Sequence, residues 1–349
     1  MTDFRKQFQN LIENTHIFDK SAVSLAAWNN IYNLVRSNIP EKLFRYRGIN
    51  PYSLQDVETE TISLCHAGMF PDKYDSYLYV DRNKIRSDLQ NALRDALRIV
   101  CVQIARNSPD IKAEKASQIC YYKALGYTED QIIDKILDEE YPDFIEQIES
   151  AVKGQESRFR NPRNSAKIGC FTESVQSKYM WDRYGDGYKG FALEYDFREC
   201  IPEYNKQGLN VNLFPVIYAD LRPDVTLDEG NIYVYEYFKQ IGNKNMLNYL
   251  SFRLQIDQVY WYRAYLYKDR EEYEHEREWR MLYYNLDNED NYESIPDMEC
   301  LKAIYYGPDI PSKDKDKLHK IAVKRKLKEH QVSLDTESRN YDLKITSFK

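Results

Sequence analysis

A run of acidic and basic residues in the C-terminal half carries the strongest chemical signal in the sequence. Glu274, Glu276, Glu278 and Arg280 stand at alternate positions, so in a β-strand they would share one face, with neighbours roughly 6.5–7 Å apart. Three carboxylates on one face repel one another unless a cation such as Arg280 neutralises them, and sequences tolerate such conflict mainly at functional sites. The alternative is a helix end, with an i,i+4 pair such as Glu276 with Arg280, that leads into a strand.

Two arginines form a second candidate group. Arg45 and Arg47 alternate with apolar residues in the segment 43–47, which Gly48 and Pro51 terminate, and this pattern predicts a short strand. On a strand the two guanidinium groups share a face and suit a phosphate or a carboxylate. The alternative is an exposed strand edge whose arginines pair with nearby acids.

Two hydroxyl groups stand two positions apart at the end of another predicted strand, residues 168–174. Thr172 and Ser174 would face the same way on this strand and could hold a ribose or position a backbone turn. The alternative is a hydroxyl-stabilised turn or an N-cap before the short helix that begins near Tyr179.

Aromatic residues and glycines follow this segment. Trp181 and Tyr184 lie at i and i+3, so they share a helix face and could form the wall of a site for a planar ligand. Gly185, Gly187 and Gly190 permit positive φ and close approach of the backbone, but their spacing does not match the dinucleotide-binding or P-loop motifs. The alternative is core packing beside a glycine-rich turn.

Composition limits the classes of protein to consider. The 349 residues carry a net charge of −7, without the basic excess typical of nucleic-acid binders. No stretch of the sequence approaches 18 apolar residues, and no apolar segment like that of a signal peptide follows Arg5 and Lys6. We therefore expect neither a membrane-spanning nor an exported protein. The six cysteines are scattered without a Cys-x-x-Cys pair, which indicates reduced thiols, a cytoplasmic location and no zinc site of common spacing.

Apolar periodicity predicts an α+β fold with a mixed or antiparallel sheet core and flanking helices. We expect a single domain over residues 1–349, with a helical insertion or subdomain at 82–158, where a capping box begins at Thr128. Further helices are predicted over 1–37, 236–268 and 312–327. Further strands are predicted over 191–196, 214–218, 232–234, 278–284, 300–305 and 342–347.

Five short motifs follow one another along the chain, at residues 43–47, 70–75, 170–173, 180–184 with Gly190, and 276–280. Their order resembles the bacterial Domain of Unknown Function 2971 family, over most of residues 42–310 except the helical block. The family's usual Phe-Asn-Asp-Pro-Phe-Asp stands here as Phe-Pro-Asp-Lys-Tyr-Asp, with Asp72 and Asp75 at the matching positions. The resemblance implies no activity.

The succession of an arginine, a hydroxyl-x-Ser pair and Glu-x-Glu is also similar to the arginine–serine–glutamate class of ADP-ribosyltransferases. The resemblance implies NAD as substrate and no metal. Glu278 would hold the ribose 2′-hydroxyl and stabilise the oxocarbenium-like transition state, and Glu276 would orient or deprotonate the acceptor. An arginine of the first strand would hold the pyrophosphate. The implied site comprises, as catalytic residues, Glu278, Glu276, Thr172 and Ser174 and, as substrate-binding residues, Arg45, Arg47, Trp181, Tyr184 and Arg280.

This resemblance predicts a transferase with an unknown protein or nucleic-acid acceptor, or an NAD glycohydrolase, and stand-alone bacterial enzymes of this type commonly act as toxins or in phage defence. It requires the two arginines to lie within about 15 Å of Glu278, across one nucleotide-sized pocket. Two other functions remain open. One is a non-catalytic ligand- or partner-binding module. The other is a metal-dependent nuclease with Mg²⁺ ligands among Asp72, Asp75, Glu194 and Asp196.

Overall fold

The computed structural model describes residues 3–17, 21–105, 113–140, 142–144, 146–147, 150, 162–198, 213–240, 259–284, 290–297 and 299–348. The chain divides into two compact units. Unit 1 comprises Met1–Leu78, Ser157–Pro223 and Gln258–Lys349, and unit 2 comprises Tyr79–Glu156 and Asp224–Asp257. Helices and strands alternate irregularly around a mixed sheet, which confirms the predicted α+β class.

Unit 1 contains every strand of the described residues and seven of their helices. Its helices are α1 (Asp3–Asn14), α2 (Ala22–Arg36), α3 (Pro51–Glu58), α7 (Lys178–Arg183), α9 (Tyr260–Leu266), α10 (Arg270–Tyr273) and α11 (Ser312–Arg325). Its strands are β1 (Leu43–Arg47), β2 (Thr61–His66), β3 (Lys167–Thr172), β4 (Phe191–Tyr195), β5 (Leu213–Pro215), β6 (Ile217–Ala219), β7 (Tyr267–Asp269), β8 (Glu278–Tyr283), β9 (Tyr292–Pro296), β10 (Leu301–Tyr306), β11 (Lys328–Leu334) and β12 (Leu343–Ser347).

Ten of these strands form one sheet with the order β12-β11-β10-β4-β1-β3-β2-β9, while β8 pairs with β3 and β5. Most pairs are antiparallel, and β10 with β11 is parallel. The remaining strands, β6 and β7, form a parallel two-stranded ribbon. Inner strands such as β4 are buried at every position, because apolar side chains on both of their faces pack into hydrophobic cores.

The sheet opens at β3, and this opening positions the site described below. One edge of β3 pairs with β8 along its whole length. The other edge pairs with β1 only at Thr172 and with β2 only at Lys167 and Ile168. Among the strands of the described residues, none pairs with positions 169–171 on this edge, so β1 and β2 diverge around a gap.

Unit 2 is helical in the residues that the structure describes. It contains α4 (Arg82–Ala105), α5 (Ala113–Ala124), α6 (Glu129–Glu140) and α8 (Thr226–Gln240). A small core of Leu97, Cys101, Ile119 and three isoleucines of α6 joins the first three helices. Thr128 and Gln131 exchange the two hydrogen bonds of the predicted capping box. The helical block predicted over 82–158 lies almost wholly in this unit, which also takes in residues 224–257.

Several local predictions were wrong. Residues 232–234 lie within α8 instead of a strand, because the β-branched pattern there is too short to outweigh the surrounding helical periodicity. The strands β2, β7, β9 and β11 were not predicted, and β7 replaces the end of the helix predicted over 236–268. Residues 241–258 of the helix predicted over 236–268 lie outside the described residues.

Two chemical properties of the chain follow from the structure. Cys65, Cys101, Cys120 and Cys170 are free thiols, but Cys300 is disulfide-bonded, so the prediction that all six cysteines are reduced is wrong at this position. Cys200 lies outside the described residues. No described helix is both long enough and apolar enough to cross a membrane.

Gly190 permits a close approach of three backbone segments at the end of β1. A Cβ atom at this position would collide with the carbonyl oxygen of Arg47 and lie 2.8 Å from that of Gly185. We therefore expect Gly190→Ala to lower the free energy of unfolding by about 1–3 kcal/mol, the usual effect of overpacking, measured by urea denaturation. Gly48→Ala is the control, because its Cβ would meet only ordinary contacts at 3.4 Å. Equal stability of the two variants would contradict this explanation.

Candidate functional site

A cavity of about 250 Å³ lies at the opening of the sheet in unit 1. It brings together residues from β1, β2, β3, β8, the loop after β2 and the segment around α10. Its walls combine aromatic rings with paired charges. The lining residues are Phe44, Arg45, Tyr46, Arg47, Cys65, Phe70, Pro71, Asp72, Asp75, Ile168, Cys170, Phe171, Met180, Arg183, Tyr184, Lys268, Tyr273, Glu276, Glu278 and Arg280.

The pairing of β3 with β8 places the central residues of this cavity. Thr172 lies opposite Glu278 and Cys170 lies opposite Arg280. Since residues directly opposite in an antiparallel pair project from the same face, these four side chains share one face of the sheet. Glu278 and Arg280 therefore obey the predicted alternation, but the strand begins only at Glu278.

The residues before β8 do not form a strand. Positions 274–276 form a 3₁₀ turn, and Arg277 adopts the left-handed conformation with φ 48°. The predicted row of three glutamates on one strand face is therefore wrong, and the helix-end alternative describes this segment better, although Glu276 does not pair with Arg280. The reversal at Arg277 brings Glu276 and Glu278 to the same cavity.

Arg280 is the most strongly bound cation of the site. Its side chain is 1% exposed and donates to Asp75 through both terminal nitrogens at 2.9 and 2.5 Å, to Glu278 Oε1 through Nε at 2.8 Å, and to the carbonyl of Tyr265 at 2.6 Å. A fifth, longer contact joins it to Glu278 Oε2 at 3.4 Å. These bonds use all five N–H donors of a guanidinium group, so Arg280 orients Glu278 and is not free to bind a substrate as the resemblance implied.

Lys268 links the two glutamates. Its ammonium group donates to Glu276 Oε2 at 2.8 Å and to Glu278 Oε2 at 3.0 Å. The hydroxyl of Tyr184 donates to the other oxygen of Glu276 at 2.8 Å. Asp75, Arg280, Glu278, Lys268 and Glu276 thus form a continuous chain of alternating charges.

The backbone around the glutamates is also fixed. The Thr172 hydroxyl donates to the carbonyl of Glu276 at 2.6 Å, and the N–H of Glu278 donates to the Tyr218 hydroxyl at 2.6 Å. Thr172 therefore fixes the backbone of the segment that carries Glu276.

Electrostatics keep Glu278 ionised despite its burial. Burial raises the pKa of Glu278, but Arg280 and Lys268 outweigh this effect and leave the pKa below its ordinary value. Burial lowers the pKa of Lys268, but Glu278 and Glu276 outweigh it and leave that pKa well above its ordinary value. Burial, with the charge of Glu278, raises the pKa of the Cys170 thiol, so this thiol is neutral at pH 7.

Arg45 and Arg47 reach the cavity from the other face of the sheet. Phe44 lies opposite Thr172, so Phe44 shares the face of Glu278 and the two arginines project from the opposite face. They line the same cavity because the sheet is open between β1 and β2. Two strand spacings separate Phe44 from Glu278, roughly 10 Å between Cα atoms, and the required distance between the two arginines and Glu278 stays a prediction.

The two arginines differ in their partners. Arg47 pairs with Asp56 of α3 at 3.2 Å. Burial and the charge of Arg45 lower the pKa of Arg47 to about 10, against the opposing effect of Asp56. Arg45 has a ring contact with Phe171, at 5.8 Å from the ring centroid, but makes no hydrogen bond or ion pair with any residue that the structure describes. Arg45 is therefore available to an anionic ligand.

Three predicted site residues do not line the cavity: Thr172, Ser174 and Trp181. Thr172 acts on it only through its hydrogen bond to the carbonyl of Glu276. Trp181 is fully buried, donates to the carbonyl of Val175 at 2.8 Å and packs edge-on against Tyr46, so it belongs to the core. The Ser174 hydroxyl accepts the N–H of Gln176 at 3.1 Å, which is the turn alternative. Tyr184 does line the cavity.

The ligands considered for a nuclease do not come together. Asp75 is paired with Arg280. Glu194 accepts from Lys42 and Tyr305, Asp196 pairs with Arg198, and both carboxylates line a different cavity. Only Asp72 and Asp75 of these four residues line the cavity of Glu278.

Lys268, the residue that joins the two carboxylates, was not among the predicted site residues. Lys268 stands in a short strand at the end of a segment predicted to be helical, and no local pattern marks it. Asp75 was considered as a position that the family retains and as a Mg²⁺ ligand of the nuclease alternative, but not as the partner of Arg280. The excess of acids in 274–278 was the available signal that a cation from elsewhere in the chain must lie beside them.

Residues 180–281 match the model of the family described as "Protein of unknown function (DUF2971)". This match extends from α7 through β4, β5, β6 and β7 into β8, and it includes Tyr184, Lys268, Glu276, Glu278 and Arg280. The resemblance to this family is therefore confirmed over these residues. No curated protein and no solved structure matches the chain significantly.

Proposed function

We propose that this protein is an ADP-ribosyltransferase-like enzyme that uses NAD, with transfer to an acceptor or to water. The observation that carries the proposal is the pair of carboxylates, Glu276 and Glu278, held by Lys268 in one cavity with Arg45. Carboxylates stabilise a cationic ribose in the transition state, and a guanidinium group without an ionic partner suits a phosphate.

The reaction assigns separate roles to the two glutamates. The bond between ribose C1′ and the nicotinamide nitrogen breaks, and its electron pair leaves with nicotinamide. Glu278, the more tightly held carboxylate, would stabilise the positive charge that develops on the ribose. Glu276 would accept the proton of the acceptor hydroxyl or of water as the new bond to C1′ forms.

The aromatic residues of the cavity suit a planar ligand. Phe70, Tyr184 and Tyr273 line it on the side of the carboxylates, and such rings can pack against a nicotinamide group. The ribose would lie beside Glu278, and the phosphate would extend through the opening of the sheet towards Arg45. The ligand would thereby span both faces of the sheet.

The direct test measures nicotinamide release from NAD by the purified protein, with and without a cell extract as a source of acceptor. Release above the rate of a heat-denatured sample supports the proposal. Stabilisation of the protein by NAD without release in either condition contradicts it and favours a non-catalytic binding module. Release that requires added Mg²⁺ would contradict the assigned roles of the glutamates.

We expect Arg45→Ala to weaken the binding of NAD while it leaves folding unaffected. Loss of a charge-assisted bond to phosphate, worth about 1.5–3 kcal/mol, predicts a KM increase of roughly ten- to a hundredfold. Stability should change by no more than about 1 kcal/mol, because Arg45 is half-buried and its contact is with the Phe171 ring. Arg198→Ala removes a partly exposed arginine outside this cavity and serves as the control for KM. An unchanged KM in Arg45→Ala would place the phosphate elsewhere.

The proposal includes a cytoplasmic location and a role in toxicity or phage defence. Four free cysteines fit a reducing compartment, while the disulfide at Cys300 does not.

Fractionation of cells that produce the protein tests the location. A fall in cellular NAD during phage infection tests the role, and constant NAD would contradict it.

A further inference from the structure

Lys268 is the one side chain that contacts both glutamates of the cavity among the residues that the structure describes. Its nitrogen lies 2.8 Å from Glu276 Oε2 and 3.0 Å from Glu278 Oε2. Each glutamate uses its second oxygen for a different partner, Tyr184 or Arg280. The ammonium group therefore determines the separation of the two carboxylates.

The surroundings of Lys268 hold it in this position. Its side chain is 6% exposed, and its nitrogen lies 4.0 Å from the centroid of the Tyr273 ring. Lys268 lies in β7 beside Tyr218 of the parallel strand β6, and the Tyr218 hydroxyl accepts the backbone N–H of Glu278. The β6–β7 ribbon thus binds both the side chain and the backbone of Glu278.

The other charged groups around the pair cannot replace Lys268. Arg280 contacts only Glu278 and is shared with Asp75. Arg5 binds the backbone carbonyl of Glu278 and the side chain of Glu173. Without Lys268, Glu278 would lose one of the two cations that lower the pKa of its carboxyl group. The titratable and charged groups facing the pair are Lys268, Arg280, Asp75, Cys170, Tyr179, Arg183, Tyr184, Tyr218, Tyr273 and Arg5.

We propose that Lys268 is a positioning residue that holds the side chains of Glu276 and Glu278 side by side and, through its contact with Glu278, sets the acid limit of the reaction. This inference rests on the proposed function, since it assigns the pH range of the same site. It predicts that an enzyme with Lys268 keeps its activity under mildly acidic conditions.

The test compares the pH dependence of kcat/KM for nicotinamide release in the wild type and in Lys268→Met. Loss of the ammonium group should move the acid limb upward by about one pH unit or more, which is a roughly tenfold lower rate on that limb. At alkaline pH, where both carboxylates ionise in either protein, the rates should converge. Lys268→Arg should return the limb towards its wild-type position, because a guanidinium group restores the positive charge.

Lys167→Met is the matched control. Lys167 is a second buried lysine, paired with Glu293 at 2.9 Å outside the cavity, so its loss should lower stability without moving the acid limb. An unmoved limb in Lys268→Met, or an equal shift in Lys167→Met, would overturn the inference.

A second measurement separates this inference from the proposed function. Carbon-13 NMR can follow the titration of the Glu278 carboxyl group in both proteins without any turnover. A midpoint that rises in Lys268→Met supports the role of Lys268 even if the wild type releases no nicotinamide, an outcome that would refute the proposed function alone. An unchanged midpoint refutes the role of Lys268.

Discussion

Glu278→Gln should abolish nicotinamide release, with kcat reduced by about a hundredfold or more, as when an enzyme loses a group that stabilises transition-state charge. Gln retains the shape of the side chain and one acceptor oxygen but has no charge to stabilise a cationic ribose. The measurement is a single-turnover assay with NAD at saturating enzyme concentration.

The same change should also lower the free energy of unfolding. Glu278 is buried against Arg280 and Lys268, and its neutralisation leaves both cations with one partner fewer. Asp75 and Glu276 still pair with them, so we expect a loss of about 1–3 kcal/mol and not complete unfolding.

Glu293→Gln provides the control for this result. It neutralises a glutamate that pairs with a buried lysine, Lys167, away from the cavity. Both variants should lose comparable stability, and only Glu278→Gln should lose activity. Equal losses of activity would identify the charged network as structural, and a folded, active Glu278→Gln would exclude Glu278 as the catalytic carboxylate.

Arg280→Met should have the largest effect on stability. It removes five hydrogen bonds and leaves the carboxylates of Asp75 and Glu278 buried with fewer cations. Breaking a buried ion pair from one side costs about 3–5 kcal/mol, a large part of the stability of an ordinary domain. Denaturant titration measures the loss directly.

A double variant tests the mechanism of this loss. Asp75→Asn in the Arg280→Met background neutralises the carboxylate left without its partner, so it should restore part of the lost stability. If the stability lost by the double variant equals the sum of the losses of the two single variants, the assignment of Arg280 and Asp75 as a buried pair is contradicted.

Local patterns predicted much of the sheet. The alternation at β1 predicted its five residues correctly, and β4, β8 and β10 were located to within one residue at each end. These inner strands are marked by continuous apolar or alternating runs with clear terminators. The more polar β9 and β11 have no such pattern, because partly exposed strands depend on their neighbours for stability.

The site was predicted only in part, for a similar reason. Residue type and order identified Arg45, Thr172, Tyr184, Glu276 and Glu278, all of which line the cavity or bind a residue that does. The face from which Arg45 projects depends on the opening of the sheet, which follows from the pairing of strands distant in sequence. Trp181 was misassigned because a buried aromatic residue and a ligand-binding one have the same helical spacing.

The strand order has a consequence for synthesis on the ribosome. β4 lies between β1, formed by residues 43–47, and β10, formed by residues 301–306. While the chain is being made, β4 can find its first neighbour early but must wait for the second until more than a hundred further residues have been added. During that interval a strand whose every position is buried in the finished fold presents an open edge, which is prone to pairing with other nascent chains. Once β10 has been made, its pairing with β4 closes this edge and ends the risk of aggregation, in addition to completing the sheet.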